Sequence, residues 1–258
     1  MSLIEKIFSS GIVGDYFLNG SDDTLGLVLF IISVAVVIIA AYLLGSINFA
    51  IIISGKKYKQ DIRDHGSKNA GMTNMMRTYG KKAAGLTLLG DALKAVAACL
   101  VGYVLIGSLG AYIAGLFCIL GHIFPIFYRF KGGKGVATVL GAVTGIQPNI
   151  ALLCFAVWFA SLMLWHYVSL ASIIAGCSFP IFVSIFSSSI YVRHGLSHTS
   201  ISFLVFSFVV AIALVWTHRK NVGRLLDGTE SKIDPWGYFS HEIAAKLGLT
   251  EDDKPENN

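Results

Sequence analysis

Six stretches of this chain are apolar for long enough to cross a bilayer, and nothing else in the sequence narrows the fold as far. They run over 26–53, 84–107, 109–127, 149–165, 168–187 and 200–217. A helix needs about 20 apolar residues to span the hydrocarbon. A seventh apolar segment, 136–146, sits between Gly135 and the Gln147–Pro148 break and is too short to cross alone, so it reads as a partial or re-entrant helix. The residues are 55% hydrophobic and only 14% charged, against about 25% charged in a soluble domain. Intrinsic disorder is excluded by the same figures. Backbone groups in lipid must be satisfied within the segment, which leaves helices. The expectation is an all-α integral membrane protein: a bundle of about seven hydrophobic helices in a single membrane domain over 1–258, without an internal repeat.

Lys and Arg in short loops set the orientation. Residues 54–83 carry Lys56, Lys57, Lys59, Arg63, Lys68, Arg77, Lys81 and Lys82 against Asp61 and Asp64, and 128–134 add Arg129, Lys131 and Lys134. The first 24 residues hold one Lys against Glu5, Asp15, Asp22 and Asp23, and the loop 188–199 only Arg193. The basic loops therefore face the cytoplasm, 1–24 is an external segment, and seven crossings return the C-terminus inside. The basic cluster Arg219, Lys220 and Arg224 after the last span fits that parity, and 231–258 reads as a polar cytoplasmic tail with an amphipathic helix near 238–248. The first apolar run follows an acidic stretch rather than the basic start of a secretory signal, so it reads as retained.

With the basic residues in membrane-flanking loops, nucleic acid is not an expected partner. Cys99, Cys118, Cys154 and Cys177 lie singly in apolar runs and read as buried small hydrophobes. The seven histidines form no close ligand pair with Cys or carboxylate, so neither metal nor cofactor is expected.

Polar residues and glycines concentrate in the basic loops. The first, Asp61 to Asn74, offers His65, Ser67, Asn69, Thr73 and Asn74 as hydrogen-bonding groups, and Gly66 and Gly71 allow close backbone approach. The second reads Lys131-Gly132-Gly133-Lys134-Gly135-Val136-Ala137-Thr138, with a helix expected to begin there. Glycines let consecutive N–H groups turn toward one anion, a helix start adds its positive dipole end, and two lysines add full charges. Walker spacing is absent. Ser46, Ser169, His218, Asn221 and Arg224 fall at the same membrane face if the topology holds, a set suited to a phosphorylated molecule beside a lipid. Asp91 and Lys94, three apart within a span, read as a helix-face pair rather than a catalytic one.

These motifs resemble the bacterial acyl-phosphate:glycerol-3-phosphate acyltransferase (PlsY) family. The resemblance rests on Gly45-Ser46-Ile47, Asp61-Ile62-Arg63, His65 to Asn74, Lys131 to Thr138, Tyr167 to Ser172, and His218-Arg219-Lys220-Asn221 with Arg224. It runs in order from about residue 40 to 230. It implies a multi-pass enzyme of the bacterial inner membrane, with its active site on the cytoplasmic face. The implied reaction moves a fatty acyl group from acyl-phosphate to the 1-hydroxyl of glycerol 3-phosphate, giving lysophosphatidate and phosphate for phospholipid biosynthesis. Carried over by position, the implied catalytic residues are Ser46, Arg63, Lys131, Lys134, Ser169, His218 and Asn221. The implied substrate-binding residues are His65, Gly66, Ser67, Asn69, Gly71, Thr73, Asn74, Gly132, Gly133, Gly135, Thr138 and Arg224. The expected partners are the bilayer, the two substrates and a peripheral enzyme that makes acyl-phosphate. Departures stand at Asn48 and Ala50, where the family usually has Pro and Gly, at His166 (Arg) and at Lys68 (often Gly).

An acyl-phosphate is already activated, and no G-x-S-x-G elbow suggests a covalent intermediate. The expected arrangement puts the acyl-phosphate head on the glycine-lysine loop. Arg63, Ser169, His218 and Asn221 then orient glycerol 3-phosphate, and the chain lies between apolar helices. The donor phosphate is favoured over His218 or His65 as proton acceptor. Acyl-CoA-dependent glycerolipid acyltransferases carry His and Asp separated by four residues. Here the residues five beyond each His are Ala70, Phe127, Ala171, Thr199, Phe203, Gly223 and Lys246, so that pattern is missing. A transporter is disfavoured by the lack of repeated halves.

Overall fold

The computed structural model describes residues 11–12, 23–194 and 198–233. Most of the 1–24 segment and the helix expected near 238–248 lie outside the described residues. Among the described residues every regular element is helical. In order they are α1 (Asp23–Ser46), α2 (Phe49–Tyr58), α3 (Met72–Tyr79), α4 (Lys81–Ile123), α5 (Val136–Ile146), α6 (Pro148–Trp165), α7 (Val168–His194), α8 (His198–Thr217) and α9 (Arg219–Leu226). Single 3-10 turns occupy Ile62–Asp64 and Ile126–Tyr128. Among the described residues four stretches are long and apolar enough to cross a membrane, and α8 with α9, bent by 56°, makes a fifth if counted as one span.

The first apolar run departs from the single helix expected over 26–53. It breaks after Ser46, and Asn48 starts α2 by accepting the backbone N–H of Ile51 on its side chain (3.1 Å). Asn48 is an N-cap buried at the break, and its Nδ2 donates to Ala70 O (3.3 Å), tying the break to the first polar loop.

Although its hydrogen bonding runs almost unbroken, α4 is two helices back to back. Ile106 and Gly107 leave helical geometry, with Gly107 at φ +65°. A β-carbon at Gly102 would overlap the backbone of Gly110, and one at Gly115 would press on Cys99 Sγ at 3.2 Å. Residues eight and sixteen apart meet only if the chain doubles back, as the separate stretches 84–107 and 109–127 imply.

Small residues make the other contacts close as well. A β-carbon at Gly45 would overlap the Cys118 backbone, one at Gly121 would overlap Tyr42 O, and one at Gly141 would overlap Ala92 O. These glycines set α1 and α5 against α4. Without a hydrophobic force between helices in lipid, backbone proximity and dispersion hold the bundle together. The interior is accordingly rich in Ala95, Ala98, Ala111 and Ala114, while Leu86, Leu89, Leu93, Leu152 and Ile212 face outward. Cys99 and Cys118 are buried as expected. Cys154 is half-buried and Cys177 exposed, because their helix faces turn away from that interior.

Replacing Gly102 or Gly141 with Val should destabilise the protein by about 1–3 kcal/mol, the cost of overpacking. Gly85, whose added β-carbon meets nothing within 4 Å, should accept Ala without loss. Thermal midpoints in detergent compare the three; equal midpoints would show that the helices do not meet at those glycines.

Candidate active site

The first polar loop is folded around the side chain of Asn74, buried near the start of α3. Its Nδ2 donates to the carbonyls of Ile62, His65 and Asn69 (3.2, 2.9 and 3.1 Å), and its Oδ1 accepts Ser67 N–H (2.9 Å). One amide thus shapes 62–69. Arg63 faces sideways from this loop. Its Nε and Nη2 grip Asp61, holding that carboxyl below the usual range, and its Nη1 reaches the carbonyls of Tyr128 and Lys131 (3.0 and 3.2 Å). That clamp steadies a turn in which Arg129 and Phe130 both have left-handed φ, at 57° and 58°, a geometry costing roughly 1–2 kcal/mol per residue.

The glycine-lysine loop folds back on the end of α4. Gly133 N–H donates to His122 O (3.1 Å) and Gly132 N–H to Ile123 O (3.2 Å). Those two amides are therefore occupied, in contrast to the expectation that the glycines turn their N–H groups toward an anion. The amides left without a capping side chain are instead those at the start of α5. Gly135 is its N-cap at φ +87° and provides no side-chain cap, so the orphan N–H groups of the first turn are open. Only glycine suits this position without strain.

Opposite that helix start, Glu230 gathers three polar side chains. Ser169 Oγ and Asn221 Nδ2 donate to its Oε1, and Arg224 Nε to its Oε2, each at 2.7 Å. Burial pushes this carboxyl up, but the three donors together hold it below the ordinary glutamate range. Asn221 Oδ1 accepts from Lys134 Nζ at 2.5 Å. Burial pushes the Lys134 ammonium down to about 8, with Glu230 acting the other way. The span through α8 ends at Thr217, and next to it His218 is buried. Its Nδ1 lies 2.8 Å from Leu214 O; a carbonyl can only accept, so Nδ1 carries the proton and Nε2 is left as an acceptor. Burial, and then the charge of Lys134, push His218 down to about 4.

These groups line one cavity of about 1220 Å³. Its polar part is bordered by Gly66, Ser67, Asn69, Gly71, Thr73 and Asn74 from the first loop, and by Lys131, Gly132, Gly133, Lys134 and Gly135 from the second. Ser169, His218, Asn221 and Arg224 complete it. The same cavity continues between apolar helices past Val143, Ala151, Phe155, Trp158, Phe179 and Leu214. Four expected site residues do not line it. Ser46 Oγ donates to Tyr42 O (2.8 Å) and accepts Ile126 N–H (3.3 Å), pinning the end of α1 to the turn before the loop. Arg63 acts on that loop from behind. His65 gives its carbonyl to Asn74, and Thr138 is buried with its Oγ1 unpartnered.

Arg77, Glu230, Asp91 and His122 also border the cavity, although the sequence places Glu230 only at the same membrane face, His122 only at the start of the second loop, and none of the four among the site residues. Arg77 was counted only as a topology charge. Asp91 and His122 are 31 residues apart, so no local spacing could pair them. Glu230 is expected at the same face, in Gly228-Thr229-Glu230 after the basic cluster, but nothing in the sequence marks it as the carboxylate that gathers Ser169, Asn221 and Arg224.

A family model of glycerol-3-phosphate acyltransferases matches residues 35–228. A glycerol-3-phosphate acyltransferase of Thermoanaerobacter pseudethanolicus is 41% identical over 195 residues, 76% of this chain and 93% of that relative. A glycerol-3-phosphate acyltransferase 2 of Bacillus anthracis is 39% identical over 196 residues, 76% of this chain and 97% of the relative. Among solved structures, the glycerol 3-phosphate form of PlsY (YgiH), an integral membrane glycerol 3-phosphate acyltransferase, superposes with a TM-score of 0.71. It is 34% identical, over 84% of this chain and all of that one. The lysophosphatidic acid form of PlsY gives a TM-score of 0.69 at 36% identity, over 78% of this chain and 96% of that one. With a family match over most of its length and relatives covered almost end to end, the chain is a membrane acyltransferase and belongs to the glycerol-3-phosphate acyltransferase family.

Proposed function

We propose that this protein transfers a fatty acyl group from acyl-phosphate to the 1-hydroxyl of glycerol 3-phosphate, at the cytoplasmic face of the bacterial inner membrane. The observation that carries the reading is the single cavity joining a basic polar mouth to an apolar branch between helices. A phosphate-bearing acyl chain fits such a shape from end to end. PlsY has been solved in a glycerol 3-phosphate form and a lysophosphatidic acid form, the acceptor and product of this reaction. The donor is supplied by a peripheral enzyme that makes acyl-phosphate.

The reaction needs no covalent enzyme intermediate. The 1-hydroxyl oxygen bonds to the acyl carbon, the bond from that carbon to the phosphate oxygen breaks, and phosphate leaves with the electron pair. Lys131, Lys134 and the start of α5 hold the donor phosphate. Ser169, Asn221 and Arg224, which converge on the Glu230 carboxylate, orient glycerol 3-phosphate, and Lys134 lies between the two phosphates. His218 Nε2, left as an acceptor, takes a hydrogen bond from the 2-hydroxyl and orients glycerol 3-phosphate, leaving the 1-hydroxyl proton free to leave. With its pKa pushed down to about 4, His218 is a weak base. The donor phosphate, which leaves as inorganic phosphate, takes the proton. Holding the two reactants in line contributes roughly 7–11 kcal/mol of barrier lowering.

Purified protein given acyl-phosphate and labelled glycerol 3-phosphate should form lysophosphatidate and phosphate in equal amounts, and none with acyl-CoA as donor. Product formed from acyl-CoA alone, or uptake of glycerol 3-phosphate without product, would remove the proposal.

Lys134 gives the rate an alkaline limb. The group is cationic below about pH 8 and neutral above it, so phosphate attraction is present at lower pH and lost as pH rises. The expected result is a fall in kcat/KM above about pH 8, absent in Lys134→Arg. In Lys134→Ala, kcat/KM should be about 10²-fold lower, as for other charge-stabilising donors. An unchanged limb in Lys134→Arg would assign it to another group.

A further inference from the structure

Beneath the glycine-lysine loop lies a buried ionic cluster that the mechanism so far leaves unused. Lys94 Nζ donates to Asp91 Oδ1 (2.8 Å) and to Ile47 O (2.5 Å), and lies 3.1 Å from His122 Nδ1. All three side chains are at most 5% exposed. An ammonium has three hydrogens and accepts nothing, so the third goes to the Nδ1 lone pair of His122. Nδ1 is also 3.5 Å from Asp91 Oδ1, but that oxygen already takes Lys94 and Phe49 N–H, and the contact is at the outer limit of a hydrogen bond. The imidazole is therefore neutral with its proton on Nε2. His122 borders the cavity, and its Nε2 lies against Gly133, where a β-carbon would overlap it. No described residue accepts from Nε2–H.

We propose that His122 Nε2–H is a further catalytic hydrogen-bond donor, given to an oxygen of the acyl-phosphate's carboxyl–phosphate group, with Lys94 and Asp91 fixing the tautomer behind it. The bond is donated and no proton is transferred. The proposal rests on the acyl-phosphate reading of the glycine-lysine loop.

The test uses full-length protein in nanodiscs with palmitoyl phosphate and glycerol 3-phosphate. Wild-type turnover in the same assay tests the functional reading by itself, so the two failures are distinguishable. His122→Phe keeps the bulk without a donor and should lose about 10²-fold in rate, with the KM for glycerol 3-phosphate within about threefold. His122→Gln keeps an N–H and should recover most of the loss. A drop confined to kcat assigns the carbonyl oxygen; a rise in the palmitoyl phosphate KM assigns a phosphoryl oxygen. Full activity in the Phe variant, a Gln variant no better than Phe, or a defect only in the KM for glycerol 3-phosphate would overturn the proposal. If neither variant folds, wild-type protein labelled with 15N-histidine decides. An Nε2-protonated histidine should shift on adding a non-transferable acyl-phosphonate, distinct from His218, which carries its proton on Nδ1. No such shift would overturn it.

Discussion

A lysine within a membrane span costs about 2.5–3.5 kcal/mol on insertion scales unless its charge and hydrogens are answered. Lys94 has all of them answered: a carboxylate on its own helix, a carbonyl from the break after α1, and a ring nitrogen from the end of α4. The consequence reaches beyond one ion pair. Ile47 is held where the chain changes direction into α2, and His122 is held where the glycine-lysine loop folds back on α4. Removing one member would leave the others buried and unpaired, so the break, the helix end and the loop stand or fall together.

The polar mouth is built around a carboxylate rather than around cations alone. Glu230 takes the donors of Ser169, Asn221 and Arg224 and offsets the charge of Lys134. Without it, a desolvated ammonium and a guanidinium would repel one another across a low-dielectric gap. In the proposed reaction, an acid beside the phosphates limits how tightly a second anion is held, which favours release of the anionic product.

The fold was legible to the extent that hydrophobicity carries it. Long apolar runs announced helices, and the short run over 136–146 announced α5 with its bounds unchanged. Two features escaped. The break at Ser46–Asn48 falls inside a continuous apolar stretch, because a buried Asn can cap a helix while hydropathy barely registers it. The direction of the glycine-loop amides also escaped, since glycine permits many backbone conformations and only the returning carbonyls of His122 and Ile123 select one. Those motif residues that border the cavity were readable by resemblance. Asp91 with His122, and Glu230 with Ser169, were not, because each pair is assembled by helix packing across long stretches of sequence.

Asn48, Lys68 and His166 show how different chemistry can reach one backbone. A proline at 48 would stop the preceding helix by lacking an N–H. Asn48 begins the next helix instead by capping it, and adds a bond to Ala70 O that proline could not make. Lys68 has a φ of 58°, the left-handed geometry glycine adopts freely. Its backbone N–H still closes the turn onto His65 O at 3.0 Å. His166 ends α6 at φ 64°, with its N–H on Leu162 O and its own carbonyl accepting Ile233 N–H (2.9 Å). That last bond ties the chain just beyond Glu230 to the turn preceding Ser169. What the backbone requires at these places is a break, a left-handed turn and a helix end, and more than one side chain supplies each.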